Sequence, residues 1–258
     1  MRSPIKYFGG KIYMQGEIQS CYPSNLYDYT FVEGFGGGAS ALFAKPPFGV
    51  EVYNDLDENL YALFKVLQDK ELFAVFKSKL DLTPYSKQIR QEFKDSIKQD
   101  NIDLVTRAFM FFYINRTSFN GVGGFCTNLS VRRNMSKAVS DYLSMVDYLP
   151  EIHDRISRVI IEKVDILELL DKYNKPSIFF YLDPPYVHST RKSTARYNVE
   201  MTDDQHRSMI EAIINHSGKF VISGYDNPIY DPLLDNGFNK KNFKSPSSES
   251  IETVWFNT

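Results

Sequence analysis

The stretch that most constrains what this chain can fold into is SIFFYLDPPY, Ser177 to Tyr186. Ile178, Phe179, Phe180, Tyr181 and Leu182 have the length and the β-branched and aromatic content of a buried parallel strand. Pro184 and Pro185 then stop the strand abruptly, because proline fixes φ and has no N–H to give to a neighbour. A chain with such a segment is expected to be an α/β protein, and in open α/β sheets the carboxyl edge of the strands is where ligands bind.

The residues delivered to that edge suit one kind of chemistry, substitution at an exocyclic amino group of a flat base. The lone pair of such a nitrogen is delocalised into the ring and is a weak nucleophile. The Asp183 carboxylate and the Pro184 carbonyl are both acceptors, so together they can hold the two amine hydrogens and leave the lone pair aimed at an electrophile. Tyr186 offers a stacking face, and the two prolines make the corner rigid. The plainer account is a strand ending in a proline-rich turn with an aspartate cap.

Thr30 to Ser40, TFVEGFGGGAS, reads as a strand, a tight turn with glycines at Gly34, Gly36, Gly37 and Gly38, and a helix start over Ala39 to Phe43. Its spacing is not GxGxxG, and by itself it is equally a plain loop. Gly49 to Asp55, GVEVYND, alternates into a second strand. It ends about twenty residues beyond the glycine turn, where a Rossmann-like sheet places an acid on a ribose. Asp55 is the preferred acid; Asp57 and Glu58 compete, one of the three serving as a cap for the helical run from Asn59. Asp165, ending the run VIIEKV, either contacts a nucleoside base or caps a helix from Ile166 to Leu170.

Six ordered blocks carry a resemblance over most of the chain: KYFGGK (Lys6–Lys11), FVEGFGGGAS (Phe31–Ser40), ND (Asn54–Asp55), NRTSFNG (Asn115–Gly121), VD (Val164–Asp165) and DPPY (Asp183–Tyr186). In this order they resemble the DNA adenine N6-methyltransferases of the Dam type. The resemblance implies a Rossmann-like mixed-sheet methyltransferase domain, residues 1–57 and 159–258, with an inserted helical target-recognition domain, residues 58–158. It implies S-adenosylmethionine as methyl donor, double-stranded DNA as partner and an adenine flipped out of the stack; a restriction endonuclease is a further candidate partner. Carried over, it puts Tyr7, Lys11, Phe35, Gly36, Asp55, Asp165 and Ile166 around the donor, with Asp183 touching donor and target. It puts Lys6 on a base edge, Arg116 on backbone phosphate, and Phe119 and Asn120 in or beside the space the flipped adenine leaves.

Two departures stand out. Gly34 follows Glu33 where the family usually has proline, which alters loop stiffness more than chemistry. Where relatives that methylate GATC carry a guanine-reading arginine three residues past FNG, this chain has Gly124. An arginine donating two bonds to guanine contributes about 1–3 kcal/mol of discrimination, so another recognition sequence or looser selectivity is expected. Arg132 or Arg133 is a candidate substitute. Asp183 in the first motif position favours adenine over cytosine N4, where serine is more usual. A catalytically silent DNA-binding protein of the same fold would show eroded motifs, whereas Lys11, Asp55, Asp183 and Tyr186 are all present.

With 258 residues, 43% of them hydrophobic, the chain can bury a large core. Its net charge of −2 is modest for a DNA binder. Arg107 to Arg158, however, holds seven basic residues against four acids, and Arg191, Lys192 and Arg196 form a second basic cluster after DPPY. Cys21 and Cys126 show no paired or metal-binding spacing, and the four histidines form no cluster. Reduced thiols, a cytoplasmic setting and no metal are expected. No signal core opens the chain, and no apolar run approaches the roughly 20 residues that span a bilayer.

In the middle of the chain the apolar spacing predicts one amphipathic helix over Leu60–Leu80, another over Leu104–Ile114 and a third over Val139–Val159 interrupted at Pro150. The aromatic stripe Phe109, Phe111, Phe112 and Tyr113 reads as helix core, and Phe119 as the better candidate for stacking on a base. Later, Thr202 to Gln205 predicts a capping box before a helical run from His206 to Ile214, with Gly218–Lys219 as the stop signal after it. KFVIS and TVWFN predict strands, SPSSES a hairpin-like connection, and Tyr225 either walls a base pocket or simply packs.

Overall fold

The computed structural model describes residues 1–7, 10–187, 199–244 and 251–258. Two compact units emerge. One comprises Met1, Lys11–Asp57 and Glu162–Thr258; the other comprises Arg2–Gly10 and Glu58–Ile161. The short segment Arg2–Gly10, expected within the methyltransferase domain, groups with the helices.

In chain order the elements are α1 (Gln15–Gln19), β1 (Thr30–Glu33), α2 (Ser40–Ala44), β2 (Glu51–Asn54), α3 (Glu58–Gln68), α4 (Lys70–Asp81), α5 (Lys87–Ser96) and α6 (Leu104–Arg116). A two-stranded hairpin of β3 (Val131–Arg132) and β4 (Met135–Ser136) precedes α7 (Lys137–Ile156). Then come β5 (Ile160–Glu162), α8 (Ile166–Lys172), β6 (Ile178–Leu182), α9 (Asp203–Ile214), β7 (Lys219–Gly224), α10 (Asp231–Asp235), β8 (Asn239–Lys244) and β9 (Ile251–Phe256).

Among the described residues the main sheet has seven strands in the order β5-β2-β1-β6-β7-β9-β8. β1 pairs in parallel with both β2 and β6, and β6 with β7, while β9 runs antiparallel to β7 and β8. This is the Rossmann-like mixed sheet expected. All five residues of β6 are buried, as are all four of β2, as parallel strands covered on both faces require. On one face Val32, Phe180, Leu182, Phe220, Ile222 and Trp255 pack against Leu169 and Leu170 of α8 and Met209, Ile210 and Ile213 of α9. β8 differs: it is mostly exposed and carries Lys240, Lys241 and Lys244, charges that blunt a sheet edge. The same polarity hid this strand from the hydrophobic pattern.

The strand order reverses between β1 and β6, which lie side by side although 144 residues lie between Glu33 and Ile178 in sequence. Ligand crevices in open α/β sheets form at such a reversal, beyond the carboxyl ends of the strands. The turn after β1 and the corner after β6 both emerge there.

In the helical unit the run expected to be one helix over Leu60–Leu80 is two. Asp69 breaks it with extended backbone, its side chain accepting from the amides of Glu71 and Leu72 to start α4. A side-chain cap competes with continuation of the helix. Pro150 does not interrupt α7, which runs unbroken from Lys137 to Ile156. One missing N–H is tolerated where Tyr142, Met145, Val146, Leu149, Ile152 and Ile156 bury a continuous stripe. The stripe on α6 is core: Phe112 and Tyr113 are fully buried, Phe76 meets Phe112 edge-on at 5.7 Å, and Phe93 meets Phe109 at 5.0 Å.

The capping box at Thr202 and Gln205 is formed, with both reciprocal bonds present. α9 ends at Ile214, where the helical run from His206 was expected to end, and is capped at Asn215. No helix among the described residues is long and apolar enough to cross a membrane.

Candidate active site

The glycine turn is built by side chains that accept from its backbone. Glu33, the last residue of β1, is buried and takes the amides of Ala41 (3.1 Å) and Leu42 (2.9 Å), one on each carboxylate oxygen. Burial raises its pKa to about 8 in spite of those two bonds. Asn54 braces the turn from β2, donating to the carbonyls of Gly34 and Val164 while accepting from the Val164 amide. The Tyr53 hydroxyl donates to the Gly37 carbonyl at 2.9 Å. Gly36 packs so close to the Tyr53 ring that any Cβ at that position would overlap it. Ala39 is held at φ 55 and ψ 41, left-handed for a residue that is not glycine. Such outliers persist where surrounding structure over-determines them, commonly at ligand sites.

Asp55 closes this turn. Its Oδ2 accepts from the Gly37 amide at 2.8 Å and its Oδ1 from the Asp57 amide at 2.9 Å. Burial outweighs both bonds and raises its pKa to about 6. Each oxygen keeps a second lone pair, as a carboxylate needs if it is also to take the hydroxyls of a ribose. Phe35 is partly buried against the core beside it. Asp165 is exposed and caps α8, accepting from the Leu167 amide, and Ile166 is buried behind it. The helix cap is thus the role the structure displays for Asp165.

The corner after β6 lies next to the turn. Gly34 donates to the carbonyl of Tyr181 at 3.0 Å, two residues before Asp183. Asp183 Oδ1 receives Lys11 Nζ at 2.5 Å and the Ser223 hydroxyl at 3.1 Å; Ser223 also bonds the Tyr181 hydroxyl at 3.0 Å. Asp183 Oδ2 has no bond from any described residue. Lys11 is fully buried and also lies 3.3 Å from Glu252 Oε2. Burial opposes its charge, but Asp183, Tyr181 and Glu252 outweigh that and hold its pKa above the usual lysine range.

Tyr186 donates its hydroxyl to Glu252 at 3.1 Å, its ring lies 4.3 Å from that of Tyr225, and Lys11 Nζ sits 5.0 Å from its ring centre. Pro184 is buried and Pro185 partly so. Tyr225 therefore packs on Tyr186.

In the helical unit Lys6 is tied to the end of α6 and the loop beyond it. The Lys6 amide donates to Asn115 Oδ1 (2.8 Å), the Asn115 amide returns a bond to the Lys6 carbonyl (2.9 Å), and Lys6 Nζ reaches the Ser118 carbonyl (3.0 Å). A Cβ on Gly121, whose φ is 82, would overlap that Lys6 carbonyl. Burial lowers the pKa of Arg116 to about 10, against the pull of Asp141. Phe119 is 63% exposed and Asn120 is exposed with a left-handed φ of 50. Arg90 fastens this loop from beneath, donating to the Ser118 hydroxyl and the Gly123 carbonyl. Tyr7, expected at the donor, belongs to the same unit. Arg132 pairs with Asp141 and Arg133 donates to Ser144. Arg191, Lys192, Arg196 and SPSSES lie outside the described residues.

Sequence reasoning missed Ser223, Glu252 and the bracing by Asn54. Asn54 stood in a quoted motif; Ser223 and Glu252 lie in strands recognised only for their apolar neighbours. Among the described residues no group of three or more His, Cys, Asp or Glu side chains is placed to hold a metal ion.

Comparison with known proteins finds matches over most of the chain. A family model described as D12 class N6 adenine-specific DNA methyltransferase matches residues 7–254. The chain is 24% identical to the type II methyltransferase M.MjaIII of Methanocaldococcus jannaschii, over 92% of this chain and 89% of that one. It is 26% identical to the type II methyltransferase M.CviBI of Paramecium bursaria Chlorella virus NC1A, over 72% and 69% respectively. A solved rRNA methyltransferase from Streptomyces viridochromogenes aligns over 95% of this chain and 84% of that one, with a TM-score of 0.42 and 10% identity.

Proposed function

Because the chain belongs to the D12 class N6 adenine-specific DNA methyltransferases, and so is a DNA adenine methyltransferase, we propose that it methylates N6 of an adenine flipped from a defined site in duplex DNA, with Asp183, Pro184, Pro185 and Tyr186 as the catalytic corner. The observation that carries this reading is the unequal use of the two Asp183 oxygens. Oδ1 is held by Lys11 and Ser223, whereas Oδ2 is left open among the described residues. A carboxylate fixed through one oxygen can present the other to an amino group without rotating away.

In this reading Asp183 Oδ2 accepts one amino hydrogen and the Pro184 carbonyl the other, which localises the nitrogen lone pair. The nitrogen gains the methyl group and one of its hydrogens leaves as a proton along the bond to Asp183. S-adenosylmethionine supplies, when bound, a methyl group activated by positive sulfur. The residues present fit it. Phe35 and Gly36 shape the turn and Asp55 keeps lone pairs for a ribose, and the family resemblance adds Lys11, Asp165 and Ile166 from the same unit. Tyr186 stacks on the extruded base.

The helical unit is read as the target-recognition part, with Lys6 on a base edge, Arg116 on phosphate, and Phe119 and Asn120 at the vacated space. Gly124, with open space around it, cannot read guanine through a side chain, so a recognition sequence other than GATC or looser selectivity is expected. The cytoplasm is the compartment this activity implies, and a restriction endonuclease cutting the same unmethylated site is a candidate partner.

Sequencing DNA methylation in cells that express the chain tests the reading directly. N6-methyladenine in one short sequence context is the expected result; the absence of methylated adenine would overturn it.

A further inference from the structure

Glu252 is a buried charge that the proposed transfer does not yet use. It sits on β9 at 3% exposure, with Oε2 3.3 Å from Lys11 Nζ and with the Tyr186 hydroxyl donating to Oε1 at 3.1 Å. A carboxylate this deep persists only where pairing offsets its lost hydration. Both of its partners belong to the catalytic corner, although it lies 66 residues beyond Tyr186 in sequence.

We propose that Glu252 is a positioning residue for methyl transfer, orienting the Tyr186 ring through its hydroxyl and sharing the Lys11 ammonium so that Lys11 keeps a single fixed hold on Asp183 Oδ1. An ammonium has three donors. With one directed at Glu252, Lys11 is constrained from two sides and does not swing to cover the open Oδ2. With its hydroxyl anchored, the Tyr186 ring keeps one plane against Tyr225, and a base that stacks on it meets a preset surface. This inference rests on the reading of Asp183 to Tyr186 as the catalytic corner.

The test uses the full chain and a duplex carrying the site that the methylation map defines, with Glu252→Gln, Tyr186→Phe and the double variant. Both substitutions cut the Tyr186–Glu252 link and Glu252→Gln also removes the charge facing Lys11, so kcat should fall about tenfold in Tyr186→Phe and at least as far in Glu252→Gln, with the double variant within about twofold of Glu252→Gln. KM for DNA should change little, and calorimetric affinity for S-adenosylmethionine should stay within about threefold of wild type, since the donor turn is untouched. With 2-aminopurine at the target position and no donor present, Glu252→Gln should blunt the fluorescence change of the captured base.

A purely structural role would lower the melting temperature but leave kcat per folded enzyme, and the fluorescence change, as in wild type. That result, or losses that multiply in the double variant, would overturn the inference. If Glu252→Gln does not fold, Tyr186→Phe alone decides, and wild-type kcat in that variant overturns it. A wild-type enzyme that leaves adenine unmethylated would instead defeat the underlying reading of the corner.

Discussion

Lys11 and Asp183, 172 residues apart in sequence, form a buried ion pair at 2.5 Å. The pair engages one carboxylate oxygen and leaves the other open, which makes it a positioning device as much as a stabilising contact.

Replacing Lys11 with methionine strips the only cation within reach of two carboxylates, Asp183 and Glu252, among the described residues. Breaking a buried pair by removing one partner is expected to cost about 3–5 kcal/mol of stability. Urea unfolding of Lys11→Met measures this, and methylation should be lost with it. A variant within about 1 kcal/mol of wild type would show that the carboxylates neutralise themselves by taking protons.

Asp183→Ala should abolish methylation while leaving the far-ultraviolet circular dichroism spectrum intact, because the side chain retains some exposure and its strand is held by both neighbours. Tyr186→Ala should weaken productive DNA binding by about 1–3 kcal/mol, the range for loss of one stacked base. Near-normal turnover in the first, or unchanged affinity and rate in the second, would remove the assigned role.

Glu33 yields a pH dependence with a definite sign. Its pKa is raised from 4.5 to about 8 in the folded protein, so between those values the native state binds a proton that the unfolded state has released. Stability from this residue is therefore full below about pH 4.5 and declines as pH rises towards 8. Thermal melts from pH 5 to 8.5 should show this downward slope in wild type and a shallower one in Glu33→Gln. Equal slopes would mean the two backbone amides keep Glu33 ionised.

Two glycines should respond oppositely to the same change. At Gly36 an added Cβ overlaps the Tyr53 ring, whereas at Gly124 it meets nothing within 4 Å. Gly36→Ala should cost about 1–3 kcal/mol, as overpacking does, and weaken donor binding measured by calorimetry. Gly124→Ala should melt within about a degree of wild type, as surface substitutions usually do. A reversed order would refute the account of the turn.

Much of the sheet was legible because parallel strands buried on both faces must be apolar throughout. β1, β6 and β7 announced themselves in this way, β2 by its alternation and the antiparallel β9 by its apolar run Val254–Phe256, and Pro184 and Gly34 marked where the chain leaves the sheet. β8 was not legible, since an exposed edge strand carries lysines that a hydrophobic pattern cannot see. The split at Asp69 and the continuity through Pro150 were misread for a related reason. Periodicity reports which face is buried, whereas one side-chain cap or one absent amide is decided by local bonding.

At the site, residues within one motif could be identified from their chemistry, and Asp183 to Tyr186, Asp55 and Lys11 all came from short local patterns. What the sequence by itself determined is the inventory: a rigid acid-proline-tyrosine corner, a glycine turn and an acid at the end of the next strand. Which Asp183 oxygen is held and which is open, and that Ser223 and Glu252 hold the corner from other strands, only the tertiary structure decided. The physical reason is that a hydrogen bond depends on ångström distances and direction, and the pairing of β6 with β7 and of β7 with β9 brings those groups together across 40 and more residues of chain.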